Sequence, residues 1–135
     1  MFGLENSFAA LGFYRLNEKT EQLLERTKAF ALRIIRLFRS LPRTPEVQII
    51  GKQLLRSGTS VGANYRSACR GRSRAEFAAK IGVVLEEADE TVYWLELLVD
   101  TGSVKKERLK GLLTEGRELV AIFTAARYTM RNKNF

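Results

Sequence analysis

The stretch "RSGTSVGANYRSACRGRSR", Arg56 to Arg74, decides the fold. Its glycines, hydroxyl residues and arginines suit a phosphate-cradling loop, a basic linker or a thinned helix. Spacing separates these readings. Val47, Ile50, Leu54, Val61, Tyr65 and Ala68 recur in steps of three, four or seven, which keeps them on one face of a helix. The simplest reading therefore carries one helix through residues 45–71. Glycine costs about 1 kcal/mol per helix-interior position relative to alanine, so Gly51, Gly58 and Gly62 together cost roughly 3 kcal/mol. Packing must offset that cost, and Ser57, Gly58, Val61 and Gly62 are expected to let a neighbouring helix approach closely. Gly71, before Ser73, makes the turn. A Walker-type phosphate loop is excluded: it requires Lys-Ser/Thr after its last glycine, and Ala63-Asn64 stands there.

The same periodicity extends to both sides. Upstream, Leu23, Thr27, Phe30, Ile34, Leu37 and Leu41 form one stripe, ended by "SLPRTPE". Thr44 is placed as an N-cap with Pro45 at the first helical position, where a missing N–H costs nothing. Downstream, Phe77, Ile81, Leu85, Ala88, Val92, Leu95 and Val99 form a third stripe. Ser73 and Glu76 are spaced as a capping box, and Gly102 suits a left-handed helix end. Ser103 or a neighbour is expected to cap a fourth segment, carrying Leu109, Leu112, Gly116, Leu119, Phe123, Ala126 and Met130. Strand alternation and hairpin dipeptides are absent. Four helices with short connections predict an all-α, up-down-up-down antiparallel four-helix bundle.

With 135 residues, 45% of them hydrophobic, the chain suits one domain with one core. The bundle is assigned to residues 18–135. Residues 1–17 read as an N-terminal extension, frayed or docked on a partner; Glu5 stands where a signal peptide needs positive charge. No run reaches the ~18 apolar residues of a membrane span. One cysteine, Cys69, and no histidine exclude disulfide scaffolds, Cys/His zinc sites and histidine-activated nucleophiles. That usage points to a reducing, cytoplasmic setting, with Cys69 as a small packed residue.

Charge is segregated. The net charge is +8, yet residues 81–104 carry Glu86, Glu87, Asp89, Glu90, Glu96 and Asp100 without a single base. Residues 56–80 and 105–135 each carry a net of +5. Carboxylates taken out of water need donors, and the antiparallel second helix offers Arg56, Ser57, Ser60 and Asn64. A polar seam between these residues and Glu86 and Glu90 is therefore expected. The surplus bases are candidates for phosphate contacts. They are Arg66, Arg70, Arg72 and Arg74 at the corner, then Arg33, Arg36, Arg117, Arg127 and Arg131.

Two further motifs bear on function. Glu86, Glu87 and Glu90 resemble the EExxE box of all-α, magnesium-dependent nucleotide pyrophosphatases of the MazG type. That family also needs an ExxD pair downstream, and Glu96 and Asp100 are one residue too far apart for it. Trp94, next to Tyr93, suits a base-stacking platform or, more simply, the edge of the core or of a subunit contact.

Residues 54–98, "LLRSGTSVGANYRSACRGRSRAEFAAKIGVVLEEADETVYWLELL", closely resemble the signature of the four-helix bundle proteins encoded in intervening sequences of bacterial large-subunit ribosomal RNA genes. Those proteins are similar to the accessory variability determinant (Avd) proteins of diversity-generating retroelements. The resemblance covers the second and third helices best and does not reach residues 1–17. The matching positions are Arg56, Ser57, Gly58, Ser60, Val61, Asn64, Arg66, Glu86, Glu90 and Trp94. It implies a ring-shaped homo-oligomer, a pentamer, with basic surfaces that include a central channel. The similar retroelement members bind nucleic acid and a reverse transcriptase. The resemblance implies no enzymatic activity, and neither cofactor nor metal is expected. The combined expectation is a cytoplasmic, oligomeric bundle that binds RNA or DNA through phosphates, with a protein-interaction scaffold as the alternative and the pyrophosphatase reading behind both.

Overall fold

The structure is a computed structural model that describes residues 17–132. Four helices follow one another: α1 (Asn17–Arg39), α2 (Pro45–Cys69), α3 (Arg74–Asp100) and α4 (Lys106–Asn132). The connections are short, so sequential helices run antiparallel and pack side by side. No strand occurs among the described residues. The longest helices, of 27 residues, span about 40 Å. The chain is an all-α four-helix bundle. The expected extension, except for Asn17, lies outside the described residues. No described helix is long and apolar enough to cross a membrane.

Local chemistry sets the ends. Pro45 opens α2 as expected, but the Thr44 side chain makes no cap bond; separately, Gln48 Nε2 ties the first turn back to the Pro42 carbonyl at 2.8 Å. Ser73 caps α3 by accepting from the Glu76 amide at 3.1 Å. The returning half of the capping box is displaced by one residue, because Glu76 Oε1 accepts from the Arg72 amide at 2.8 Å. Gly102 has φ 73°, the left-handed geometry that glycine adopts without steric cost. Gly71 turns the chain without a positive φ. There α2 closes on tight bonds from the Arg70 amide to the Ser67 carbonyl and from the Gly71 amide to the Ala68 carbonyl.

The core lies along the bundle axis. Phe30, Ile34, Leu54, Val61, Ile81, Leu95, Leu109, Leu119 and Phe123 are all essentially inaccessible. In α3 the buried face includes Val84, Thr91 and Leu98, while Phe77, Leu85 and Val99 from the predicted stripe are only half-buried. The reason is that α3 carries apolar residues around most of its circumference, so several stripes fit the spacing equally well. Tyr65 reaches Phe123 across the diagonal, with ring centroids 5.3 Å apart.

The glycines of α2 all face α1. A Cβ at Gly51 would meet Leu41 at 2.8 Å, and one at Gly62 would meet the Thr27 backbone at 3.3 Å. One at Gly58 would stand 2.8 and 2.9 Å from the Cγ atoms of Ile34, a residue with no exposure at all. The opening stretch is thus helix up to Cys69, thinned where α1 presses against it.

The opposite face of α2 meets α3 through a polar seam. Arg56 Nη2 donates to Glu90 Oε2 at 2.6 Å, and Arg56 Nη1 lies 3.4 Å from Glu87. Trp94 Nε1 also donates to Glu90, at 3.0 Å. Beneath them the buried hydroxyls of Thr91 and Ser57 lie 2.9 Å apart, and Thr91 Oγ1 also reaches the Glu87 carbonyl at 2.7 Å. Arg56, Ser57 and Glu90 stand in the seam as expected. Glu86 does not: it is exposed, and Glu87 takes its place. Glu87 lies four residues before Thr91 and shares its face, whereas Glu86 is one step of about 100° further round, toward solvent. Ser60 and Asn64 are corrected too, since both serve their own helix. Ser60 Oγ donates to the Arg56 carbonyl at 2.6 Å, and Asn64 Nδ2 to the Ser60 carbonyl at 2.9 Å.

This packing makes stability respond to the glycines in opposite directions. Gly58→Val lowers unfolding free energy by about 1–3 kcal/mol through overpacking. Gly82→Ala, whose Cβ would have nothing nearer than 3.9 Å, raises it by up to about 1 kcal/mol through helix propensity. Urea unfolding checks both. The Trp94 indole, then the Arg56 guanidinium, hold the Glu90 carboxyl below the ordinary 4.5. A depressed acid stabilises the fold above its unfolded value, and that stability is lost as pH falls through the folded value. Melting temperature therefore falls as pH drops below about 4.5, and Glu90→Gln flattens that limb. Thermal melts across an acid series test it.

Candidate nucleic-acid interface

The arginines singled out from the sequence do not form one surface; the fold sorts them into separate settings. The chain directions put the end of α2, the start of α3 and the end of α4 at one end of the bundle. Arg66, Arg70 and Arg72 are exposed there, and Arg131 lies exposed in the last turn of α4. Among the described residues no ion pair engages Arg66, Arg70, Arg72 or Arg131. Arg74 is partly buried, and burial pushes its guanidinium below the ordinary arginine value. Arg127 is partly buried as well; its guanidinium stands 3.9 Å from where a Cβ on Gly82 would sit. The arginine therefore lies over α3 where that helix has no side chain.

Arg66 also edges a groove of about 320 Å³ between α1 and α2. The thinning that lets these helices meet continues to the surface there, where Ala31, Thr59, Gly62 and Ala63 line the groove. Lys28 is on it too.

Arg33 and Arg36 lie elsewhere, on the flank of α1 that faces α4. They share a groove of about 240 Å³ with Arg108, a residue the sequence reading did not select. Arg108 carries no local signal; only the antiparallel return of α4 beside α1 brings it there. Arg117 is spent differently: its Nη2 is 3.0 Å from Glu96 of α3, and both are well exposed. Arg26, also not selected, clasps α1 to α4 by bonds of 3.0 and 2.6 Å to Glu115 and 2.9 Å to Glu118. Those contacts raise its guanidinium above the ordinary value, the Glu115 bond contributing most.

The acidic box of α3 is arranged for ion pairing. Glu87 and Glu90 share Arg56, while Glu86 is exposed on another face. No cluster of three metal-ligating side chains occurs among the described residues. Trp94 packs at the core edge, edge-on to Tyr93 with centroids 5.1 Å apart. Cys69 is half-buried, and burial pushes its thiol upward.

Comparison with known proteins agrees with this architecture. Residues 19–125 match the family model described as 23S rRNA-intervening sequence protein. A crystal structure of a protein of unknown function from the S23 ribosomal protein family of Bacteroides thetaiotaomicron is similar, with a TM-score of 0.76 and 36% identity. The similarity covers 82% of this chain and 99% of that one. No curated protein matches the chain. The match spans all four helices, and the chain belongs to the 23S rRNA-intervening sequence protein family.

Proposed function

We propose that this protein is a non-enzymatic, homo-oligomeric bundle of the cytoplasm that binds RNA or DNA through phosphate contacts. The observation that carries the reading is the division of charge. Three acids of α3, Glu87, Glu90 and Glu96, are directed at Arg56 and Arg117 within the bundle. Arg66, Arg70, Arg72 and Arg131 are left exposed at one end, with no ion-pair partner among the described residues. Guanidinium groups presented in this way match phosphate oxygens and displace condensed counterions. No base-reading module is recognisable among the described residues, so the binding proposed is weakly sequence-specific.

Self-association is supported by the outer face of α3. Tyr93 is 53% and Val83 38% exposed, and the acidic residues Glu86 and Asp89 are exposed on the same helix. An acidic, apolar face on a chain of net charge +8 complements the basic faces of a second copy. The family resemblance makes a ring, a pentamer, the expected form, and sedimentation of the wild type against Tyr93→Glu tests it. Wild type sediments as the larger species. An unchanged monomer in both would remove the oligomer from the proposal.

Filter binding with a short RNA across a salt series tests the binding itself. Affinity falls steeply with salt. Replacing Arg66, Arg70 and Arg72 by Gln lowers the slope of log affinity against log salt by about 0.7–0.9 for each phosphate no longer neutralised. A salt-independent affinity, or none at low salt, refutes the reading. If the triple variant loses RNA binding and still functions in the host, the protein is a scaffold for another protein, such as a reverse transcriptase.

A further inference from the structure

Arg33 and Arg36 of α1 converge with Arg108 of α4 on one notch of about 240 Å³. Its floor is formed by Leu37, Leu109 and Leu112, all buried core residues. One of the three arginines is held in place, and a second lies against a gap in α4. Arg108 Nη2 donates to Ser40 Oγ, and Ser40 Oγ donates in turn to the Leu37 carbonyl at 2.8 Å. Arg33 Nη2 would stand 3.2 Å from a Cβ on Gly111. The glycine therefore leaves the space across which this guanidinium approaches α4.

Like charges gathered in this way repel one another unless an anion joins them. Among the described residues no carboxylate makes an ion pair with Arg33, Arg36 or Arg108. The acids of the same α1–α4 seam, Glu115 and Glu118, are held by Arg26. The apolar floor lowers the local dielectric and strengthens attraction for an anion above it. The notch is smaller than the 300–1,000 Å³ typical of sites that enclose a whole small molecule. It suits a single charged group of a larger ligand. Planar guanidinium forks match the geometry of phosphate oxygens.

We propose that Arg33, Arg36 and Arg108 form a phosphate subsite that takes one phosphoryl group, with Ser40 positioning Arg108 and Gly111 leaving room for Arg33. This site is separate from the arginines at the α2–α3 corner and does not depend on them. The phosphoryl group has three possible sources: the terminal monoester of a nucleic-acid strand, an internal phosphodiester, or a free phosphate compound.

The test uses the full chain at constant ionic strength and three probes: inorganic phosphate by calorimetry, and one short RNA carrying either a 5′-phosphate or a 5′-hydroxyl by fluorescence anisotropy. The variants are Arg33→Gln/Arg108→Gln, which leaves the buried floor intact, and Gly111→Ala, which keeps every charge but crowds Arg33. The double variant loses roughly tenfold or more in affinity for the probe that fills the site, and Gly111→Ala loses less, in the same direction. Loss confined to the 5′-phosphorylated RNA supports the site with a terminal monoester as ligand. Equal loss for both RNAs supports it with a phosphodiester. Phosphate binding that the double variant abolishes, in a protein that binds neither RNA, supports it with a free phosphate compound and refutes the nucleic-acid reading alone. Unchanged affinity for all three probes in both variants, with wild-type circular dichroism and melting, overturns the subsite. The RNA binding expected at Arg66, Arg70 and Arg72 would then stand untouched.

Discussion

Everything in this bundle depends on how closely α2 can lie against α1. Gly58 sits where any Cβ would collide with Ile34, and Ile34 is wholly buried and has nowhere to go. The helix accepts three glycines in its interior, each with a propensity cost of about 1 kcal/mol, because the contact they permit cannot be made otherwise. That contact fixes α2 on one side and leaves its other side to α3. There Ser57 and Thr91 place two hydroxyls in the core, and Arg56, Glu87, Glu90 and Trp94 close over them. One helix thus carries an apolar, thinned face and a polar, bonded face, with its partners sorted by chemistry.

The same sorting determines what is left for solvent. Half of the acids collected between residues 81 and 104 are consumed by the bundle: Glu87 and Glu90 by Arg56, Glu96 by Arg117. Exposed ion pairs of this kind contribute little to stability. Their consequence is for the electrostatic field, because the positive charge they do not cancel gathers in two separate places. One is the corner around Arg66, Arg70 and Arg72; the other is the α1–α4 notch around Arg33, Arg36 and Arg108. Membership of the 23S rRNA-intervening sequence protein family sets the fold in a known architecture, while the charge distribution supports a polyanionic partner.

The helical segments, the opening of α2 at Pro45, the Ser73 cap and the left-handed Gly102 were legible in the sequence, because each depends on residues a few positions apart; the side-chain cap expected of Thr44 does not form. So was the role of Gly58 and Gly62, since interior glycines demand a packing reason. Two kinds of feature were not legible. Around α3, apolar residues occupy too many positions for periodicity to choose every contact: Ile81, Ala88, Val92 and Leu95 are buried as expected, but Val84 and Leu98 are buried where Leu85 and Val99 were expected, and Glu87 meets Arg56 in place of Glu86. A single helical step separates the two choices, and only the partner helix decides between them. The other kind depends on residues far apart in the chain. Arg108 gains meaning from Ser40 and Arg33, and Arg26 from Glu115, through tertiary neighbours alone.

The α1–α4 seam shows why such a feature arises where it does. The other three pairs of adjacent helices approach closely along their lengths, whereas the backbones of α1 and α4 come near each other only locally. Long side chains must then close the gap. In the half nearer the start of α1, Arg26 does so with Glu115 and Glu118, and Phe30 reaches toward Gly116. In the other half the chain supplies arginines from both helices and no acid between them, so the gap remains a notch. A looser seam with matched charges is a clasp; the same seam with unmatched charges is an anion site. The difference lies in a few side chains on a shared backbone, which is why binding at this place is separable from the stability of the bundle that carries it.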